Sequence, residues 1–242
     1  MTRIYHVSDV HFGTEDRAAL AWFAAEVAEG RPDLVLLTGD VTAAARRSEF
    51  AAAAEWLTEL AAPVRIEPGN HDLPVFNPLL RMTKPYHRLD RLAALFDAPV
   101  KLPGVTLISL KTTARLQWRS NWSLGHVGGR SLRRTLAELA AAAPDTLALV
   151  ACHHPLVEAG TRTRGGTRGG SAALTALAGM GAAAVLTGHA HDPFDRVWTG
   201  GARPVRTIGA GTLSERVRAT PPSFNRLTIE DGVLANDVMT MR

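Results

Sequence analysis

Apolar and polar positions alternate along the chain with two different periods. Arg3–Ser8 holds a short apolar stretch, Ile4 to Val7, and reads as a strand. Asp16–Glu29 is Ala-rich with apolar residues at helical spacing and predicts an amphipathic helix. Asp33–Thr38, Asp-Leu-Val-Leu-Leu-Thr, is a continuous apolar run of the kind found in strands buried on both faces. Arg47–Leu60 predicts a second helix, stopped near Pro63, and Val64–Glu67 a third strand. The order is β-α-β-α-β at a period of about 30 residues, the usual length of a βαβ unit. Crossovers of this kind bring the strands into parallel pairing.

The pattern loosens beyond this point. Leu73–Pro99 reads as a connection holding one helix, Tyr86–Phe96. Val105–Leu110 predicts a strand, and Arg115–Gly129 is irregular. Ser131–Ala142 predicts a helix with Ser131 as N-cap. Thr146–Ala151 is a further apolar strand, Thr161–Gly170 a basic Gly-rich loop, Ser171–Ala178 a helix and Ala182–Leu186 a strand. The tail reads as strands at Asp195–Trp198, Val205–Ile208, Phe224–Ile229 and Val233–Met239, with Asp231-Gly232 as a hairpin turn. No repeat, linker or compositional break interrupts the chain, which predicts one domain over residues 1–242.

Composition narrows the class without choosing a function. Of 242 residues, 46% are apolar, enough for a sizeable core, and 21% are charged, which excludes a disordered chain. The net charge of +4 is carried mainly by Arg, with Lys only at positions 84, 101 and 111. Arg suits bidentate pairing with phosphate, so anionic substrates are allowed. A single cysteine, Cys152, excludes an intrachain disulfide. The N-terminus lacks the apolar region of a signal peptide, and no stretch reaches the roughly 18 apolar residues of a transmembrane helix. A cytoplasmic protein without membrane insertion is the expectation.

The chemistry gathers where strands end. Polar residues at the carboxyl ends of parallel strands share one edge of the sheet, where open α/β folds bind ligands. Asp9, Asp40 and Asn70 should therefore lie together. The same positions in the rest of the chain add His11, His71, His153, His154, His189 and His191, six of the nine histidines. Carboxylate, imidazole and amide oxygen form a ligand set suited to Mn, Fe, Zn or Co.

These residues fall into five blocks: Asp-x-His at 9–11, Gly-Asp at 39–40, Gly-Asn-His-Asp at 69–72, His-His-Pro at 153–155 and Gly-His-x-His at 188–191. Blocks of this type in this order resemble the calcineurin-like metallophosphoesterases. The resemblance implies a four-layer α-β-β-α sandwich, an α/β fold with two mixed sheets. It also implies two metal ions, divalent or trivalent. Asp9, His11 and His191 would hold one, Asn70, His153 and His189 the other, and Asp40 would bridge them. The activity implied is attack of a metal-activated hydroxide on a phosphoester. His71 would protonate the leaving oxygen or steady the phosphoryl group, and Asn70, His71 and His154 would meet the substrate. Asp72 would orient His71 or serve the turn, and His154 would brace the ligands or close the strand end.

Departures from individual branches narrow the resemblance. Purple acid phosphatases carry a Tyr where this chain has Ala43, and protein Ser/Thr phosphatases end the third block in Glu where this chain has Asp72. The remaining likeness is to bacterial cyclic-nucleotide and glycerophosphodiester phosphodiesterases. Gly209-Ala210-Gly211-Thr212 and Pro222-Ser223-Phe224-Asn225 are similar to that branch as well. This implies a small phosphodiester substrate, with no obligatory nucleic acid partner and a homodimer left open. Other diesters or monoesters, and a non-catalytic interaction module on the same fold, are the alternatives. Specificity would come from Leu73–Pro99, from Arg115, Trp118, Arg119 and Trp122, and from Arg162, Arg164 and Arg168. The tryptophans either stack a base or pack, and the last three arginines either steer anions or lie in a solvated loop.

Overall fold

The computed structural model describes residues 1–116, 121, 123–162 and 166–242. Trp118, Arg119, Trp122 and Arg164 lie outside these described residues. Two five-stranded mixed sheets stack face to face. The first has the order β10 (Val233–Thr240), β9 (Ser223–Glu230), β1 (Thr2–Val7), β2 (Leu34–Leu37), β3 (Val64–Ile66). The second has the order β4 (Val105–Ser109), β5 (Leu147–Ala151), β6 (Ala184–Thr187), β8 (Val205–Gly209), β7 (Phe194–Trp198). β1, β2 and β3 run parallel, as do β4, β5, β6 and β8, while β9 runs antiparallel to β1.

Alternation along each strand explains the layering. On β1 and β2, Ile4, Leu34 and Leu36 point between the sheets and meet Leu149, Ala151, Ala184, Leu186 and Ile208. Tyr5, Val7, Val35 and Leu37 point outward and are covered by Phe23 and Val27 of α1 (Arg17–Gly30) and Trp56 and Leu57 of α2 (Arg47–Glu59). In the second sheet, Val150, Cys152 and Val185 are covered by Leu139 of α5 (Gly129–Ala140) and by Leu174 and Leu177 of α6 (Gly170–Gly179). Each sheet is covered on both faces, so β2 and β5 read as unbroken apolar runs. A large side chain buried this way, such as Phe23 at 0% exposure, contributes about 1.5–3 kcal/mol.

Helix ends follow from local chemistry. The Asp16 carboxylate accepts from Ala18 N (2.9 Å) and Ala19 N (3.1 Å) and so caps α1. Glu49 Oε2 accepts from Ala44 N (2.9 Å) and Arg46 N (3.1 Å), which fixes the entry to α2. Ser131 does not cap α5. That helix begins two residues earlier, and the Ser131 hydroxyl bonds both the N–H and the carbonyl of Lys111 (3.1 Å each). Leu73–Pro99 holds two short helices, α3 (Pro78–Thr83) and α4 (His87–Ala93), where the sequence predicts one. Asn77 Oδ1 caps α3 at Leu80 N (2.9 Å), with Pro78 at the first helical position. No helix among the described residues is long and apolar enough to cross a membrane.

Candidate metal centre

The loops leaving β1, β2, β3, β5 and β6 converge on one edge of the sandwich. Backbone bonds lock them together: Asp9 N donates to Gly39 O (3.1 Å), His11 N to Asp40 O (3.0 Å) and Gly188 N to His153 O (2.8 Å). His189 N donates to Asp9 Oδ2 (2.7 Å), which ties the second sheet's loop to the first. Close approach demands glycine here. A Cβ on Gly39 would sit 2.6 Å from Gly69 N and 2.8 Å from His153 Nδ1. Five residues of the centre, Asp9, His11, Asp40, His189 and His191, have φ between 51° and 66°. Asp and His enter this left-handed region more readily than most residues, and such strain collects at functional sites.

The convergence builds overlapping clusters. Ligand atoms of Asp9, His11 and His191 lie within 4.8 Å of one another, as do those of Asp9, Asp40 and His153, of His11, Asp40 and His71, and of His153, His154 and His189. Asp40 stands at the junction, with Oδ2 3.8 Å from His11 Nε2 and 3.3 Å from His153 Nε2. Asn70 Oδ1 is 3.2 Å from His153 Nε2. The nine residues singled out at strand ends thus share one site.

Carbonyls behind the rings decide which nitrogen faces the centre. His153 Nδ1 donates to Thr38 O (2.7 Å), His191 Nδ1 to Arg216 O (2.8 Å) and His71 Nδ1 to Ala43 O (2.7 Å). Each ring therefore turns Nε2 to the centre, a lone pair when the ring is neutral and a donor when it is protonated. These orienting groups escape sequence reading because a carbonyl belongs to every residue type. The Thr212 hydroxyl, donating to Asp9 O (2.6 Å), is another support, set inside the Gly209–Thr212 stretch.

The protein alone does not satisfy this centre. His153 Nε2 points at Asn70 Oδ1 and Asp40 Oδ2, and His191 Nε2 lies 3.2 Å from Asp9 Oδ1. Lone pair faces lone pair unless a proton or a cation lies between. Asp9 Oδ1 and His11 Nδ1 are buried without a hydrogen-bond partner. Protons fill the gap in part. Burial opposes the charge on His153, but the Asp40 carboxylate outweighs it and lifts the imidazole to about 9. His191 is raised in the same way by Asp9 against burial. Burial works against ionisation of Asp9 and Asp40 too, yet the neighbouring imidazoles hold both well below the usual carboxylate range. Burial lowers His11 and His189 to about 4. Two carboxylates, four imidazoles and one amide oxygen, poised to trade protons for cations, fit a pair of metal ions.

Two residues are placed differently from their neighbours. Asp72 Oδ1 accepts from Thr42 N (2.9 Å) and Thr42 Oγ1 (3.1 Å), and Oδ2 accepts from Gly69 N (3.0 Å). These are the bonds of a turn residue, and the Ala43 carbonyl, not Asp72, orients the His71 ring. Burial, with Asp40 adding to it, raises the Asp72 carboxyl to about 6. His154 keeps both ring nitrogens for the protein: Nε2 donates to Ser123 O (2.9 Å) and Nδ1 accepts from Thr112 Oγ1 (2.9 Å). His154, expected to meet substrate, thus has both ring nitrogens engaged by the protein. It is a buried brace beneath the second strand-end loop.

Comparisons with known proteins agree with this geometry. No curated protein sequence matches the chain. A dimetal phosphatase from Danio rerio is 15% identical with a TM-score of 0.68, covering 94% of this chain and 92% of its own. A Plasmodium protein described as the anchor in the inner membrane complex is 11% identical with a TM-score of 0.64, covering 99% and 84%. The phosphopantetheinyl hydrolase of Mycobacterium tuberculosis is 17% identical with a TM-score of 0.54, covering 87% and 90%. At such identities the likeness speaks for the fold alone. The model of the calcineurin-like phosphoesterases matches residues 2–193, which include all five blocks, and the chain belongs to that family of metal-dependent phosphoester hydrolases.

Proposed function

We propose that the protein hydrolyses phosphodiesters, 3′,5′-cyclic nucleotides among them, at a centre of two metal ions. Asp9, His11 and His191 would hold one ion, Asn70, His153 and His189 the other, with Asp40 between them. The observation that carries this reading is the position of Asp40, whose carboxylate belongs to clusters on both sides of the centre. Bound metal ions supply positive charge for the phosphoryl oxygens and acidify water.

The chain's own residues do the rest. Asp40 Oδ1 accepts from His71 N (2.8 Å), which steadies the carboxylate and sets the third-block loop beside it. His71 Nε2 faces the centre because Nδ1 is committed to Ala43 O. A proton on Nε2 can pass to the leaving oxygen as the ester bond breaks. Buried loops around Asp9 and His11, both 0% exposed, keep bulk water from competing at the ligands. The preference for diesters is supported by Ala43 and by Gly69-Asn70-His71-Asp72, the residues that part this chain from the purple acid and protein phosphatases.

The test is turnover by metal-loaded enzyme across cyclic AMP, a glycerophosphodiester, an aryl diester and an aryl monoester. Diesters cleaved faster than the monoester support the reading. A monoester preference would replace it, and cleavage of the aryl diester without cyclic AMP would remove the cyclic nucleotide from it.

A further inference from the structure

The short helix α3 is built inside out. Its buried residue is Arg81, 5% exposed, whose Nε donates to Arg115 O (2.9 Å). The apolar side chains of the same segment face solvent: Val75 is 52% exposed, Phe76 77%, Leu79 75% and Met82 43%. Single exposed apolar residues are ordinary, but four within eight positions form a ridge. The Arg46 guanidinium lies over the Phe76 ring at 6.0 Å, which places the ridge beside the start of α2.

A groove of about 540 Å³ lies next to it, between α2 and α4. Arg47, His87, Arg88 and Arg91 line it together with buried Phe50 and exposed Leu95, and no carboxylate lines it. Among the described residues neither Arg47 nor Arg91 takes part in an ion pair, and both are exposed. Like charges gathered around one groove repel, and an anion placed among them relieves the repulsion. Ridge and groove are continuous through the neighbours Arg46 and Arg47, with exposed Lys84 between α3 and α4.

We propose that ridge and groove together form a docking surface for an anionic lipid bilayer. Phe76, Leu79 and their neighbours would enter the boundary between headgroups and acyl chains, while the cations take lipid phosphates. A soluble anion would use the groove but leaves the exposed ridge unexplained. A neutral apolar partner would use the ridge but leaves the arginines unpaired. The surface follows the second-block loop, since Arg46 lies only six residues after Asp40 in the chain. Docking therefore brings the metal edge to the membrane, and nothing in it depends on the diester preference proposed above.

Co-sedimentation of the metal-loaded full chain with vesicles tests this. Binding is expected to phosphatidylcholine vesicles containing phosphatidylglycerol, and is expected to fall with salt. Arg47→Gln with Arg91→Gln should weaken it about 25-fold, roughly fivefold per cation. Phe76→Ser with Leu79→Ser should weaken it about tenfold while leaving melting and turnover of a soluble aryl diester unchanged. Equal binding to pure phosphatidylcholine would overturn the proposal, as would vesicle binding indifferent to both variant pairs. Capture of inorganic phosphate or a duplex oligonucleotide, sensitive to Arg47 and Arg91 with vesicles left unbound, would overturn it in favour of a soluble anion.

Discussion

The metal edge and the α3–α4 segment lie next to each other and obey opposite rules. At the metal edge, charged groups are buried and the loops are tied to one another, by backbone bonds or, after β3, through the carboxylates of Asp40 and Asp72. Asp9 and His11 are 0% exposed, and five of the residues there carry left-handed backbone. In α3 the apolar groups are exposed and one arginine is buried. The first region breaks the usual partition of polar and apolar because its charges satisfy one another, or a cation. The second breaks it with nothing among the described residues to compensate on its outer side. A violation closed within the molecule marks chemistry, and one left open at the surface marks contact with something else.

The largest effect expected from breaking this contrast is at Asp40. Asp40→Asn keeps the shape and removes the charge shared by both sides of the centre. Turnover should fall on the order of 10³-fold with metal in excess. Full turnover in steady-state assays would show that the clusters do not act as one site. His71→Gln comes next. Loss of a positioned acid costs about 10²–10⁴-fold, and the loss should be larger for alkyl esters than for activated aryl esters. Equal losses on both leaving groups would assign the ring to orientation instead.

A smaller effect lies beneath the metal edge. His6 is fully buried between Thr38 and Asn225, and burial lowers its imidazole to about 3. The unfolded imidazole titrates near 6.5, so between these values the unfolded chain binds the extra proton. Stability from His6 is therefore complete above about pH 6.5 and is lost as pH falls toward 3. The slope is at most about 1.4 kcal/mol per pH unit, roughly 2 kcal/mol between pH 6.5 and 5. Asp72, raised to about 6, works in the opposite sense, so the comparison must be with His6→Asn. Chemical denaturation at several pH values should give a flatter profile for the variant, and parallel profiles would sink the assignment. The smallest effect is on the other side of the contrast. Phe76→Ser with Leu79→Ser should change stability by no more than about 0.5 kcal/mol per site, because both side chains already face water. A melting temperature lowered as much as by a core truncation would mean the ridge packs in solution.

Much of both sheets is legible along the chain. The apolar runs at 34–37 and 147–151 could belong only to strands covered on both faces, and the residues after them fall on one edge because parallel strands end together. The two-helix division of residues 73–99 is not legible, since each helix is shorter than two full turns and carries no period of its own. The inversion of α3 is hidden for a related reason. What buries Arg81 is the carbonyl of Arg115, which no local pattern announces. Ser131 shows the converse. Its sequence position suits an N-cap, but Lys111, 20 residues away, takes its hydroxyl.

The sequence by itself determined which groups could bind metal and in what order they occur, because ligand chemistry belongs to residue type and strand ends are set by local pattern. Only the tertiary structure decided how those groups are held. The Thr38 carbonyl is 115 residues from His153, Ala43 lies 28 from His71 and Arg216 lies 25 from His191. Each fixes the face its ring turns to the centre. The same holds for Asp72 and His154, whose residue types allow a catalytic role and whose polar atoms bond Thr42, Gly69, Thr112 and Ser123. A hydrogen bond to a distant group leaves no mark on composition or spacing, and whether the protein engages one ring nitrogen or both decides what each imidazole can turn to the centre.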